Sequence, residues 1–387
     1  VLLILSLWLT AAASEPFTTP PFTGWLGVGS AYVRLEPDAK AQRVGLLQLG
    51  DEVLVRACEP SCDAPGAWAL LDPFGAIRLS LLKTAPTSQM ALAQSATARF
   101  VYGSVRSGGA SLHVEPETHA LIAERRPGGH VLAFRDDPAL LSAGWLRRPG
   151  GGYMEASRVR LSKPSAFAGE HTPLLPLAFV IRKIETARVI ERYERIPVFD
   201  YDAITVTTEL GKLPRDAVRL VVARSRPRGV PKNERWVHID LDEQVLAAYE
   251  GDIPVFATLV SSGRDHHVTK VGLFRVWQKV IHASMRGKSA EPYFVDEVPY
   301  TQYFFGDYAL HGSYWHDRFG TPVSHGCVNL SVADAAWLFD WSPPTLPHAW
   351  HAVLTVLPEL PSVWVQIDGK IEQQASSMHS LLSIDAD

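Results

Sequence analysis

The run Ser324-His325-Gly326-Cys327-Val328-Asn329 places a thiol two residues after an imidazole, with a glycine between them. Cysteine is scarce here: only Cys58, Cys62 and Cys327 occur among 387 residues. A thiol attacks as the thiolate, and a free cysteine is only a few per cent ionised near neutral pH, so a neighbouring base must take its proton. Two histidines are candidates. His325 is two positions away, and His311, in Ala309-Leu310-His311-Gly312-Ser313, ends a short apolar run from which it can project toward the loop that follows. The base must be oriented by a third group, a carboxylate or a carbonyl, and the sequence places no acidic residue for that role. The chemistry implied is nucleophilic acyl transfer. Its oxyanion needs N–H donors, which the backbone of Gly326 and Cys327 can present, the glycine allowing close approach.

The elements around this cluster follow from periodicity. From Trp236 the chain alternates apolar and polar residues, breaks at Asp240-Leu241-Asp242-Glu243-Gln244 and at Glu250-Gly251-Asp252, and resumes. That pattern predicts antiparallel strands. Ser331 starts a helix, with Asp334 three residues on as in a capping box, and Pro343-Pro344 stop it. Later strands are expected around His351–Glu359 and Ser362–Gly369. The fold class is therefore mainly β, with a helix after Cys327.

Competing motifs fail. Arg286-Gly287-Lys288-Ser289 would need a first P-loop glycine where His282 stands, and the glycines near Gly27 and Gly29 are followed by Tyr32 where a dinucleotide fingerprint needs a third. No serine sits in G-x-S-x-G. A zinc site from His311, His316, His325 and Cys327 is an alternative use of the same residues. His316, His282, His266 and His267 otherwise have no support and read as surface or supporting residues. Trp315, Trp337 and Trp341 read as core.

The segment His311-Gly312 … Ser324-His325-Gly326-Cys327-Val328-Asn329 resembles the signature of YkuD-type L,D-transpeptidases. Gly272 and Phe274 extend the likeness, whereas Lys270 stands where a proline is usual. The resemblance covers roughly Trp236 to Pro358. It implies a β-rich catalytic domain in which Cys327 is the nucleophile and His311 the base, the Gly312 carbonyl holding the imidazole ring. It further implies that His325, Gly326 and Cys327 line the oxyanion site, while Ser324 and Asn329 shape the loop. Tyr303 and Tyr293 are candidates for the substrate cleft. The implied reaction is 3→3 cross-linking of peptidoglycan stem peptides through a thioester, with no cofactor and no metal. The alternatives are an L,D-carboxypeptidase or amidase on the same scaffold, and a wall-binding protein with an inactive domain.

The rest of the chain reads as upstream modules. Tyr32–Ala57 and Ser111–Asp136 share an apolar residue before Glu-Pro (Glu36-Pro37, Glu115-Pro116), a glycine and then alternating positions, and each is followed by a tryptophan, Trp68 or Trp145. Short alternating strands between such turns argue for small barrels, and the arrangement resembles bacterial SH3-like domains with a possible cell-wall ligand. The expected organisation is a signal-peptide remnant at 1–13, SH3-like modules at 24–85 and 97–162, a linker or degenerate third module at 176–232, the catalytic domain at 236–358 and a C-terminal strand and tail at 359–387. The apolar start, about thirteen residues, is short for a membrane span, which needs ~20, and ends in small residues as a signal peptide does. Export to the periplasm or envelope is the expectation. An oxidising compartment would let Cys58 and Cys62 pair, leaving Cys327 as the odd thiol. With 47% hydrophobic and 20% charged residues and a net charge of -4, the composition is globular and carries no basic footprint for nucleic acid.

Overall fold

The computed structural model describes residues 19–87, 90, 100–287, 293–355 and 361–369. The expected signal segment at 1–13, most of the linker 86–96 and the tail after 369 lie outside them. The described chain is mainly β and divides into two units, residues 1–97 with 347–351, and residues 98–346 with 352–387.

In the first unit, strands run in the order Leu82–Lys83, Phe22–Leu26, Glu52–Glu59, Trp68–Leu71, Ala76–Arg78, Ser30–Arg34, Arg43–Gln48, each antiparallel to its neighbours. Alternation sets the faces: Val53 and Val55 turn inward from Glu52–Glu59, whereas Leu54 and Arg56 are exposed, as a period of two requires. Cys58 and Cys62 are joined by a disulfide.

The second unit holds three further regions. Residues 100–162 split into two sheets, one with Val159–Ser162, Phe100–Val105 and Val131–Arg135, the other with Ile122–Arg126, Ala110–His113, Tyr153–Glu155 and Trp145–Arg147. Residues 177–221, expected to be a linker or a degenerate module, form a five-stranded sheet over their own core of Val180, Ile196, Val206, Leu213 and Leu220. One local device recurs in all three upstream regions: a strand leads into a single 3₁₀ turn, Leu79–Leu81, Ala156–Arg158 or Arg215–Ala217, and out into the next strand. The residue entering each turn has nearly the same backbone, with ψ of 124°, 127° and 130°. Closed barrels are not among the observed pairings of the described residues. In the 100–162 region the reason is visible, because Val131–Arg135 turns its free edge outward and pairs in parallel with a strand of the third region, Val131 opposite Val295.

That third region carries the cysteine. One sheet runs Glu170–His171, Ile253–Leu259, Val245–Glu250, Arg235–Asp240, Trp364–Asp368, Gly272–Arg275. The expected meander is its centre, but Trp364–Asp368, read as lying beyond the catalytic stretch, is inserted parallel to Arg235–Asp240. A second layer contains Gln278–Arg286, Phe294–Phe305, Tyr308–Gly312 and Val328–Leu330, backed by the helix Val332–Trp341. Val237, Ile239, Phe256, Leu310, Val328, Leu330 and Leu338 fill the space between the layers. Ser331 caps the helix by accepting the Asp334 N–H. The Asp334 carboxylate interacts with the Ser331 side chain and also accepts from the Gly169 N–H at 2.8 Å and from the Thr258 hydroxyl.

Candidate active site

The strands Tyr308–Gly312 and Val328–Leu330 are parallel neighbours, with Leu310 opposite Val328 and His311 opposite Asn329. Parallel pairing brings to one level two segments that lie far apart along the chain, and Cys327 stands at the entry of its strand. His311, Ser324, His325, Cys327 and Asn329 all line one cavity of about 190 Å³, together with Tyr293 and Trp315. Trp315, expected in the core, is half-buried: it packs against the cluster of Val295, Val298 and Tyr314 and also lines the cavity. Tyr303 does not line it, although burial, and then the charge of a Cys327 thiolate, would push its phenol up to about 12. Val131, 196 positions before Cys327, also lines the cavity, brought there by its bridge to Val295.

His311 is 2% exposed, and its Nδ1 lies 3.2 Å from the carbonyl oxygen of Gly312. A carbonyl can only accept, so Nδ1 carries the proton and Nε2 keeps the lone pair. Burial lowers the imidazole to about 4, against a smaller opposing effect of that hydrogen bond. Burial raises the Cys327 thiol to about 11; a backbone hydrogen bond with Ala309 lowers it and the Asp307 carboxylate adds to the rise. The resting pair near neutrality is therefore thiol and neutral imidazole. The thiol meanwhile rests 3.6 Å from the Asp307 carbonyl oxygen.

The loop before Cys327 is held from inside. Ser324 Oγ accepts the Gly326 N–H at 3.0 Å and donates to the Cys327 carbonyl. This corrects one expectation: the Gly326 N–H is already engaged, so of the two backbone donors read from the sequence it does not face an oxyanion in this state. Thr269 Oγ1 donates to the Gly326 carbonyl at 2.8 Å and accepts the Gly263 N–H at 2.9 Å. Gly326 has φ of 119°, and a Cβ there would stand 2.8 Å from the Tyr308 ring; only glycine fits such a backbone at that distance. His325 is half-buried between the rings of His267 at 4.6 Å and Tyr293 at 4.5 Å, which suits it to lining the cleft.

One residue set aside in the sequence belongs here. His316 Nε2 is 2.9 Å from the side-chain amide of Asn329, and its Nδ1 is 3.2 Å from the Arg318 amide nitrogen. The advance signals were its position five residues after His311 and its grouping with His311, His325 and Cys327 in the zinc alternative. Among the described residues no three His, Cys, Asp or Glu side chains gather as a metal-ligand set, so the zinc alternative finds no such cluster. Likewise, no helix among them is long and apolar enough to cross a membrane.

No match is found among curated proteins. Among solved structures the chain is similar to the L,D-transpeptidase (Yku) from Stackebrandtia nassauensis, at 25% identity over 36% of this chain and 58% of that one, with a TM-score of 0.27. It is also similar to an L,D-transpeptidase from Xylanimonas cellulosilytica, at 27% identity over 37% and 64% with a TM-score of 0.26. The catalytic domain of the E. faecium L,D-transpeptidase gives 21% identity over 35% and 98%, with a TM-score of 0.28. The chain thus spans less than two thirds of the first two structures. Residues 234–353, the stretch that contains His311, the Ser324–Asn329 loop and the helix behind it, match the family YkuD, L,D-transpeptidase catalytic domain.

Proposed function

We propose that the protein is an L,D-transpeptidase that joins peptidoglycan stem peptides by 3→3 cross-links. Cys327 Sγ attacks the carbonyl carbon of the amide that precedes the terminal D-residue, and its proton passes to His311 Nε2. The tetrahedral intermediate collapses, the C–N bond breaks, and the departing amine takes that proton. A thioester on Cys327 remains. The side-chain amine of a second stem then attacks it, a new amide forms, and the thiol regains its proton through His311. Ser324 keeps the nucleophile's loop in shape, while His325 and Asn329 line the cleft that receives the donor stem.

The observation that supports this reading most directly is the tautomer of His311. With Nδ1–H committed to the Gly312 carbonyl, the one free lone pair on the ring is the one a thiol's base needs, and both groups open on the same cavity. Residues 24–85 and 97–162 are proposed to be SH3-like modules that engage the cell wall, and the shared strand, 3₁₀ turn and strand extends that proposal to 176–232. Placement outside the cytoplasm, in the periplasm or envelope, is supported by the Cys58–Cys62 disulfide.

The test is acylation by a carbapenem, read as a mass shift on intact protein, followed by incubation with defined tetrapeptide stems. A single adduct on the wild type that disappears in Cys327→Ala, together with stem dimers, is the expected result. Trimmed stems without dimers would replace cross-linking by L,D-carboxypeptidase activity. No adduct at all would remove the enzyme reading and leave a wall-binding protein.

A further inference from the structure

The contacts of His316 determine a proton position that has consequences for Asn329. The Arg318 amide lies 3.2 Å from His316 Nδ1, and a backbone N–H can only donate, so Nδ1 holds a lone pair. An imidazolium would carry hydrogens on both nitrogens and would set an N–H against an N–H. The ring is therefore neutral, with its hydrogen on Nε2. That hydrogen points at the carboxamide atom placed as Asn329 Nδ2, 2.9 Å away. The atom receiving it must be an acceptor, and in a carboxamide that is Oδ1; the oxygen and nitrogen exchange places by a half-turn of the side chain.

Asn329 is 3% exposed, lines the cavity beside Cys327, and sits opposite His311 in the strand register. Its main chain is fixed as well, through paired 2.9 Å bonds with Ser261. No side-chain partner of the carboxamide other than His316 is present among the described residues, and neither of its atoms is among the fully enclosed, unpaired ones. The end not held by His316 therefore opens on the cleft. We infer that His316 is a positioning residue: as the Nε2–H tautomer it holds Asn329 Oδ1 and so turns the Asn329 NH₂ into the cleft, as a donor for a carbonyl oxygen of the bound acyl chain. This deepens the transpeptidase reading and rests on it for the identity of the acyl chain. It also supplies a side-chain donor to a cleft in which the Gly326 N–H is taken by Ser324.

The two histidines five residues apart would then be opposite tautomers, His311 with its hydrogen on Nδ1 and His316 with its hydrogen on Nε2. Long-range ¹⁵N–¹H correlation spectra of the full chain with ¹⁵N-labelled histidine, at pH 7, read this without any reaction. His316→Gln assigns the signal. A pyridine-type Nδ1 with a pyrrole-type Nε2 is expected for His316, while the reverse pattern or an imidazolium would overturn the inference. Carbapenem acylation rates then test the consequence. Asn329→Asp keeps an acceptor for His316 but removes the NH₂, and should slow acylation by roughly 10²-fold, the scale of losing one oxyanion donor. His316→Phe should slow it about tenfold, and His316→Gln, whose amide can still donate to Asn329, should recover most of that loss. Wild-type rates in both Asn329→Asp and His316→Phe would refute the role. Should the wild-type protein never acylate, the transpeptidase reading fails, and the spectra still decide which way Asn329 faces.

Discussion

His311 and Lys279 are two basic side chains sunk in the same catalytic region, and their surroundings treat them in opposite ways. Lys279 is 0% exposed, and its ammonium donates to the carbonyls of Phe339, Ser342 and Pro344 at 2.6, 2.6 and 2.8 Å. These lie at and just beyond the end of the helix Val332–Trp341, where the last carbonyls of a helix lack partners and a positive charge is favoured. In the charged form all three of its N–H groups are used, so it fastens the helix end and has nothing left for chemistry. His311 uses one N–H on Gly312 and keeps a lone pair toward the cleft. Burial depresses both groups, Lys279 to about 7 and His311 to about 4. A depressed pKa alone therefore does not separate the two groups; what His311 has and Lys279 lacks is an unspent lone pair opening on the cavity that Cys327 also lines.

The contrast can be broken in several places. The largest effect is expected from His311→Ala, which should slow carbapenem acylation by about 10²–10⁴-fold, the range for losing a general base, while circular dichroism still reports a folded chain. Acylation at the wild-type rate would transfer the base role elsewhere. Lys279→Met should do the opposite: a loss of about 3–5 kcal/mol of stability, since removing one partner strands the buried carbonyls, with acylation of the folded fraction unchanged within about twofold. A urea titration and a mass-shift time course on the same preparation separate the two outcomes.

The pH dependence of stability sharpens the comparison, because the two groups act in different windows. A group whose folded pKa is depressed leaves the unfolded chain holding more protons between the two values, so stability rises with pH there. For Lys279 the window runs from about 7 to 10.5. For His311, and for His316, which burial also lowers to about 4, it runs from about 4 to 6.5, with stability falling as the solution is acidified through it. Denaturation midpoints across pH should show both limbs, and Lys279→Met should erase only the alkaline one. A surviving alkaline limb would mean that another group titrates there. The smallest effect is expected at the cleft wall. Val131→Ala should cost about 1 kcal/mol or less in stability and shift KM for a stem substrate by less than about tenfold, with kcat nearly unchanged. A large fall in kcat would show that this upstream strand takes part in positioning the nucleophile.

Legibility followed distance along the chain. Cys327, His325, Ser324 and Gly326 form one local motif, and the Ser331 cap with the helix behind it could be read from adjacent residues. His311 was a candidate because it ends an apolar run, and its role as base was what the resemblance implied. Trp315 and His316 lie between the two, yet they looked like core and surface because nothing nearby shows which side of a long loop faces the cleft. Val131 could not have been found at all, since its place depends on a single parallel bridge to Val295. The Gly326 N–H was misread for a related reason: backbone identity says that a donor exists, whereas only the turn geometry shows that Ser324 Oγ has claimed it.

What the residues alone determined is the chemical inventory: an unpaired thiol, two nearby imidazoles, glycines where the backbone must pass closely, and alternating strands to carry them. The folded chain decided how that inventory is used. Which nitrogen of each ring bears the hydrogen, which donor is spent and which side chain borders the cavity all depend on partners in other strands and loops. Hydrogen bonds are directional and short, so a partner's position matters to a few tenths of an ångström, and such positions are fixed only when distant segments settle into register.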